Sequence, residues 1–119
     1  MRRVTLSVFT ASVLSVLVLG PAQAATPKLT GEVGPSFTIE VKMGNKDVKK
    51  LKAGKYTIKV EDKGTIHDFH LFGPGVNKKT GVSFTGDQTW KITLKPGRYT
   101  YQCDPHAASG MKGHFTVTK

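Results

Sequence analysis

Tyr99-Thr100-Tyr101-Gln102-Cys103-Asp104-Pro105-His106-Ala107-Ala108-Ser109-Gly110-Met111-Lys112-Gly113-His114-Phe115-Thr116-Val117 reads as a strand, a loop and a second strand. Tyr99, Tyr101 and Cys103 occupy alternate positions, so they share one face and carry the thiol inward at the strand's end. A loop containing Pro105 and Gly110 turns the chain back, and Phe115 and Val117 begin the inward face of the last strand. Cys103, His106 and Met111 therefore lie in or beside one loop.

The same alternation recurs upstream. Phe37, Ile39 and Val41 face one way and Thr38, Glu40 and Lys42 the other; Tyr56, Ile58 and Val60 repeat it, as do Trp90, Ile92 and Leu94. Period two marks half-buried strands. Gly34-Pro35, Ala53-Gly54, Gly73-Pro74-Gly75 and Lys95-Pro96-Gly97 supply turn chemistry between them. Met43 to Lys52 holds a helical turn at most. The spacing predicts an all-β domain, an antiparallel sandwich or Greek-key barrel of about seven short strands, with Trp90 and Phe84 in its core.

Ahead of this domain stand Met1-Arg2-Arg3, an apolar run from Val4 to Leu19 and the small residues Ala22, Ala24 and Ala25. That order predicts a secretory signal peptide over residues 1–24, cleaved after Ala24. The run is interrupted by hydroxyl residues and is short for a membrane span. Residues 25–119 then form one domain, enough for a single core. The whole chain carries 18 Lys+Arg against 8 Asp+Glu. Such a field favours acidic proteins, anionic surfaces or polyanions. Export and the lack of a nucleic-acid-binding motif argue against nucleic acid, and the lysines of segment 46–52 read as a solvated face. An exported domain of this size usually carries paired cysteines, yet Cys103 is alone. A lone thiol in an oxidising compartment calls for burial, pairing between chains or a metal.

A thiolate, an imidazole and a thioether are donor types that select copper, the thioether as a weak axial partner. A second imidazole must come from His67 or His70 in Ile66-His67-Asp68-Phe69-His70-Leu71-Phe72. Residues three apart on a strand face opposite ways, so the two do not share one ion. If Phe69 and Leu71 point inward, so does His67; the opposite phase puts Ile66 and Phe72 inward. His70 and His114 read as surface histidines.

In Cys103-Asp104-Pro105-His106-Ala107-Ala108-Ser109-Gly110-Met111 the chain resembles the cupredoxins, with the C-x2-H-x4-M loop of plastocyanin and pseudoazurin. Azurin has a longer Cys-to-His gap, and amicyanin a shorter His-to-Met gap. His67-Asp68-Phe69 resembles the family's first ligand, a His followed by Asn and a core residue. The resemblance implies one type 1 copper held by His67 Nδ1, Cys103 Sγ and His106 Nδ1, with Met111 Sδ axial. It departs at Asp68, where the family's Asn ties the ligand loops together. An ionised Asp accepts hydrogen bonds but donates none, and its charge would favour Cu(II).

The function so implied is single-electron transfer by an exported, periplasmic or extracellular monomer. His106 would be the electron port within a patch of Ala107, Ala108, Pro74 and Val76, and lysines would steer an acidic redox partner. A copper chaperone or buffer would share the ligands but add exposed Met or His clusters. A metal-free binding sandwich would leave Cys103 inert. A copper enzyme of this type needs further domains and histidine pairs.

Overall fold

The computed structural model describes residues 12–17, 20 and 25–119, so the expected leader lies largely outside the described residues. From Lys28 onward the chain forms ten strands and one 3-10 helix: β1 (Lys28–Val33), β2 (Ile39–Met43), β3 (Lys46–Asp47), β4 (Lys50–Lys52), β5 (Gly54–Asp62), β6 (His70–Gly73), β7 (Val76–Lys79), β8 (Gly86–Leu94), β9 (Gly97–Gln102), η1 (Asp104–Ser109) and β10 (Lys112–Thr118). Among the described residues no helix is long and apolar enough to cross a membrane.

The strands make two five-stranded sheets, β3-β2-β1-β5-β8 and β4-β10-β9-β6-β7. Most neighbours are antiparallel; β1 with β5 and β10 with β4 are parallel. The expected sandwich is therefore present with more strands than the sequence pattern suggested. The extra ones come from the Met43 to Lys52 stretch, which holds β3, β4 and a Gly44-Asn45 turn instead of a helical turn. Strands of two and three residues are too short to show an alternation.

The inner faces pair as the period of two requires. Leu29, Val33, Ile58 and Val60 from one sheet and Leu71, Tyr99, Phe115 and Val117 from the other are buried between the sheets, with Phe69 filling the centre. Trp90 joins them, whereas Phe84 lies in the loop before β8 and stays half-buried outside the core. Phe37 departs further: it precedes β2, is 65% exposed, and does not share the inward face of Val41.

Gly73-Pro74-Gly75 makes the hairpin between β6 and β7, with Gly75 at φ 73°, the positive φ that glycine supplies in a tight turn. This hairpin lies at the end of the sandwich away from Cys103. β6 pairs antiparallel with β9, His70 opposite Gln102 and Phe72 opposite Thr100, so it runs away from the ligand loop. Pro74 packs instead against Gly97. Pro74 and the adjacent Val76 therefore do not join a patch around His106, contrary to the reading from sequence.

Tyr99 staples this far end. Its hydroxyl donates to the Pro74 carbonyl at 2.6 Å and accepts from the Lys95 N–H at 2.9 Å, and the side chain is fully buried. Tyr99→Phe leaves both backbone groups short of a partner, a loss of about 1–3 kcal/mol. Urea unfolding should show the midpoint falling with an unchanged slope.

Candidate metal centre

His67 lies in the loop joining β5 to β6, and that loop is braced from its base. Asp62, the last residue of β5, accepts from the Gly64 N–H through Oδ1 and from the Thr80 hydroxyl through Oδ2, at 3.3 and 2.9 Å. Thr80 Oγ1 in turn accepts the Phe69 N–H at 2.9 Å, and the Thr80 N–H reaches the Phe69 carbonyl at 3.1 Å. One carboxylate and one hydroxyl thus fix both ends of the segment carrying His67. Burial pushes the Asp62 carboxyl up, against the pull of the Thr80 and Gly64 hydrogen bonds and of His67.

Of the two phases open in the sequence, the one with Phe69 and Leu71 inward holds. His67, Phe69 and Leu71 are fully buried, and Ile66 is 53% exposed. The alternation itself does not explain this, because β6 begins only at His70. His67 to Phe69 are loop residues, and so Asp68 is buried too.

Cys103 follows the last residue of β9 and caps η1. Pro105 stands in the first turn of η1, where its missing N–H costs nothing. Gly110 closes the helix at φ 101°, the left-handed C-cap conformation that glycine favours. The Cys103 N–H bonds the Met111 carbonyl at 3.0 Å, and the His106 carbonyl accepts from the Met111 N–H at 3.2 Å. The loop is therefore closed at its neck, with Met111 buried beneath it at 3% exposure.

Cys103 Sγ stands 3.6 Å from His67 Nδ1 and 3.3 Å from His106 Nδ1, and the two nitrogens are 3.2 Å apart. These three atoms make a nearly equilateral triangle. A point equidistant from its corners lies about 2 Å from each, the length of imidazole and thiolate bonds to a first-row metal. His67 Nε2 donates to the Pro35 carbonyl at 3.3 Å, which leaves the Nδ1 lone pair aimed at the triangle. Its ring is wedged between Gly34 and Gly64, where an added Cβ would come within 2.9 and 3.0 Å of Cδ2. Burial pushes the Cys103 thiol up, while the backbone N–H groups of Asp68 and His106 pull it down. A buried thiol that ionises only with help is one a cation can claim.

Phe37 covers this triangle from outside. Its ring stands edge-on to both imidazoles, with centroids 5.4 Å from His67 and 4.9 Å from His106 at 89° in each case. Period two had assigned it to the core because Phe37, Ile39 and Val41 alternate; the break before β2 frees it to cross to the site. Its position three residues after Gly34-Pro35 was the available signal.

Asp68 Oδ1 accepts the Asp104 N–H at 2.6 Å, so it ties the two ligand loops together in the role the sequence had placed in doubt. Burial raises the Asp68 carboxyl, and the neighbouring Asp104 carboxylate adds to the rise. Burial would raise Asp104 as well, but hydrogen bonds from Gln102, His70 and Asp68 outweigh it and hold that group down. The two carboxyls of the ligand loops are thus pushed in opposite directions, the buried Asp68 toward its neutral form and Asp104 toward its charged one. His70 stands on the outer face, with Nδ1 2.8 Å from Asp104 Oδ1 and Nε2 2.6 Å from Asn77 Oδ1. His114 is exposed on β10.

A two-sheet sandwich whose ligand loop closes a His-Cys-His triangle at one end is the architecture of a cupredoxin. Residues 36–118 match the family model of copper binding proteins of the plastocyanin/azurin type, and the chain belongs to that family. A chloroplastic plastocyanin of Physcomitrium patens is 32% identical over 114 residues, covering 87% of this chain; the chain spans 64% of that relative's length. Among solved structures, reduced rusticyanin superposes with a TM-score of 0.58 at 22% identity, covering 82% of each chain. Auracyanin of Roseiflexus castenholzii gives 0.56 at 20% identity, covering 81% of this chain and 100% of that one. At such identities these likenesses bear on the fold. Copper is the cofactor that this family and this donor set select.

Thr80→Val removes the acceptor of the Phe69 N–H and a donor to Asp62 at once. It should cost about 2 kcal/mol in chemical unfolding and loosen the His67 segment, visible as faster amide exchange at residues 64–69. Phe37→Ala removes two edge-to-face contacts, each worth about 0.5–1.5 kcal/mol. Copper transfer to an added chelator should quicken several-fold while the visible spectrum keeps its band position.

Proposed function

We propose that the chain is an exported, monomeric electron carrier that holds one type 1 copper through His67 Nδ1, Cys103 Sγ and His106 Nδ1, with the Met111 thioether as a weak axial ligand. The observation that carries this reading is the triangle of donor atoms, already converged at 3.2–3.6 Å in a braced frame. Bound copper supplies a centre that gains and loses one electron. The chain's part is to keep the donors where they are in both states, because ligand movement slows transfer. The Asp62–Thr80–Phe69 brace, the Cys103–Met111 neck and the Asp68 tie each restrain one donor-bearing segment.

His106 is the half-buried member of the triangle and lies next to Ala107 and under Phe37. Its edge is the route by which an electron reaches the metal, with Phe37 and Ala107 forming the dry contact. The apolar run behind Arg2-Arg3 and the small residues Ala22, Ala24 and Ala25 support export with cleavage after Ala24. The basic composition supports an acidic redox partner. A copper buffer would want clustered exposed thioethers, yet Met111 is buried and the exposed Met43 on β2 is not part of the donor group.

The test is the visible spectrum of residues 25–119 after addition of Cu(II), beside Cys103→Ala. An intense thiolate-to-copper band, absent in the variant and bleached reversibly by one electron equivalent of reductant, is the expected result. A colourless copper complex would overturn the carrier reading in favour of a chaperone; no binding at all would leave a metal-free sandwich.

A further inference from the structure

The two sheets differ in charge. The strands of β3-β2-β1-β5-β8 carry six acidic residues against six lysines. Lys42–Glu40, Lys59–Glu61 and Lys59–Asp87 pair within that sheet. The strands of β4-β10-β9-β6-β7 carry five lysines and Arg98 and no acidic residue. The two acids left, Asp68 and Asp104, belong to the ligand loops.

Register gathers five of these six cations on one side; Lys78, opposite the inward Leu71, is the exception. Lys112, Gln102, His70 and Lys79 stand in one row across four strands, His114 beside Thr100 in the next, and Lys50, Thr116 and Arg98 in a third. They alternate with the buried Leu51, Leu71, Tyr99, Phe115 and Val117, so they face solvent. Among the described residues, the ion pair of this face is His70–Asp104 at its rim, and it neutralises none of the lysines or Arg98. The first row borders the metal centre: Gln102 precedes Cys103, and Lys112 follows Met111.

We propose that this outer face of β4-β10-β9-β6-β7 docks an acidic protein surface, that of the redox partner; the inference rests on the carrier reading above. Five strands about 4.8 Å apart and a few residues long give a patch on the order of 400 Å², the scale of the transient encounters that bury less than about 1,200 Å² in all. An unpaired basic field steers an anionic partner onto it and falls away with salt. Lipid fits less well. Membrane-surface binders pair basic residues with apolar side chains that insert, and the large apolar residue here, Phe72, is half-buried with its ring 4.8 Å from that of His70. The opposite sheet offers no such field, since its charges balance.

The experiment titrates the 15N-labelled, Cu(I)-loaded protein with succinylated cytochrome c, a redox protein whose lysines have been converted to carboxylates. Amide shifts should cluster on β4, β9 and β10 and vanish at high salt. Lys50→Gln/Lys112→Gln should weaken binding at least fivefold, and Lys55→Gln/Lys91→Gln, which removes the same charge from the other sheet, less than twofold. Equal weakening by both pairs, or shifts on β5 and β8, overturns the docking face and leaves only net charge. Face-dependent binding to phosphatidylglycerol vesicles with no face dependence toward the cytochrome overturns it in favour of lipid. A wild-type protein with no thiolate-to-copper band sinks the carrier reading and this proposal with it; a normal band with a failed titration sinks the docking face alone.

Discussion

Two imidazole nitrogens and a thiol sulfur crowded to within 3.6 Å of one another are three lone-pair donors facing each other in a largely buried site. A thiol proton can bridge only part of this triangle, since one proton cannot serve three acceptors at once. The rest of the fold supplies what they lack. Cys103 is carried in by β9, whose Tyr99 is stapled at the far end of the sandwich. His67 is pressed from two sides by glycines and held by the Pro35 carbonyl. His106 is delivered by a 3-10 turn that begins at Cys103 itself. A cation at the centre converts this enforced proximity into bonding, so the sandwich reads as a frame whose cost is repaid when metal enters.

Much of this was legible because strands write their inner face directly into the sequence. Tyr99, Tyr101 and Cys103 alternate, and so do Ile58 and Val60; the structure buries all but Tyr101, which packs half-buried against the core. The ligand loop was equally plain, since its spacing is local. Residues whose position depends on where a strand begins were harder to place. Phe37 kept the alternation of Ile39 and Val41 but lies before β2, and the chain's turn at Gly34-Pro35 sends it to the site instead. Pro74 was misplaced for a topological reason, as the direction of β6 relative to β9 is a pairing that single-sequence periodicity does not contain.

Charge shows the same division between local and global information. The composition gives a basic protein, but only the pairing of strands shows that one sheet is neutral and the other wholly cationic. Self-repulsion among the cations of one face works against compactness. Keeping acids out of five strands is therefore a feature that the core does not require. A face that is costly to the fold and contiguous with two metal-site residues points outward, to another molecule.

Asp68 joins the two themes. In the family pattern a neutral amide at this position bridges the ligand loops, and an ionised carboxylate there would set a negative charge beside the metal and oppose the arrival of an electron. Burial acts against that ionisation, because it raises the cost of the charged form. Burial would raise Asp104 too, but hydrogen bonds from Gln102 and His70 hold that carboxyl down. Negative charge is thus disfavoured at the buried position and favoured at the rim. The tie between the ligand loops survives the change of residue, since Asp68 Oδ1 accepts the Asp104 N–H as an amide oxygen would.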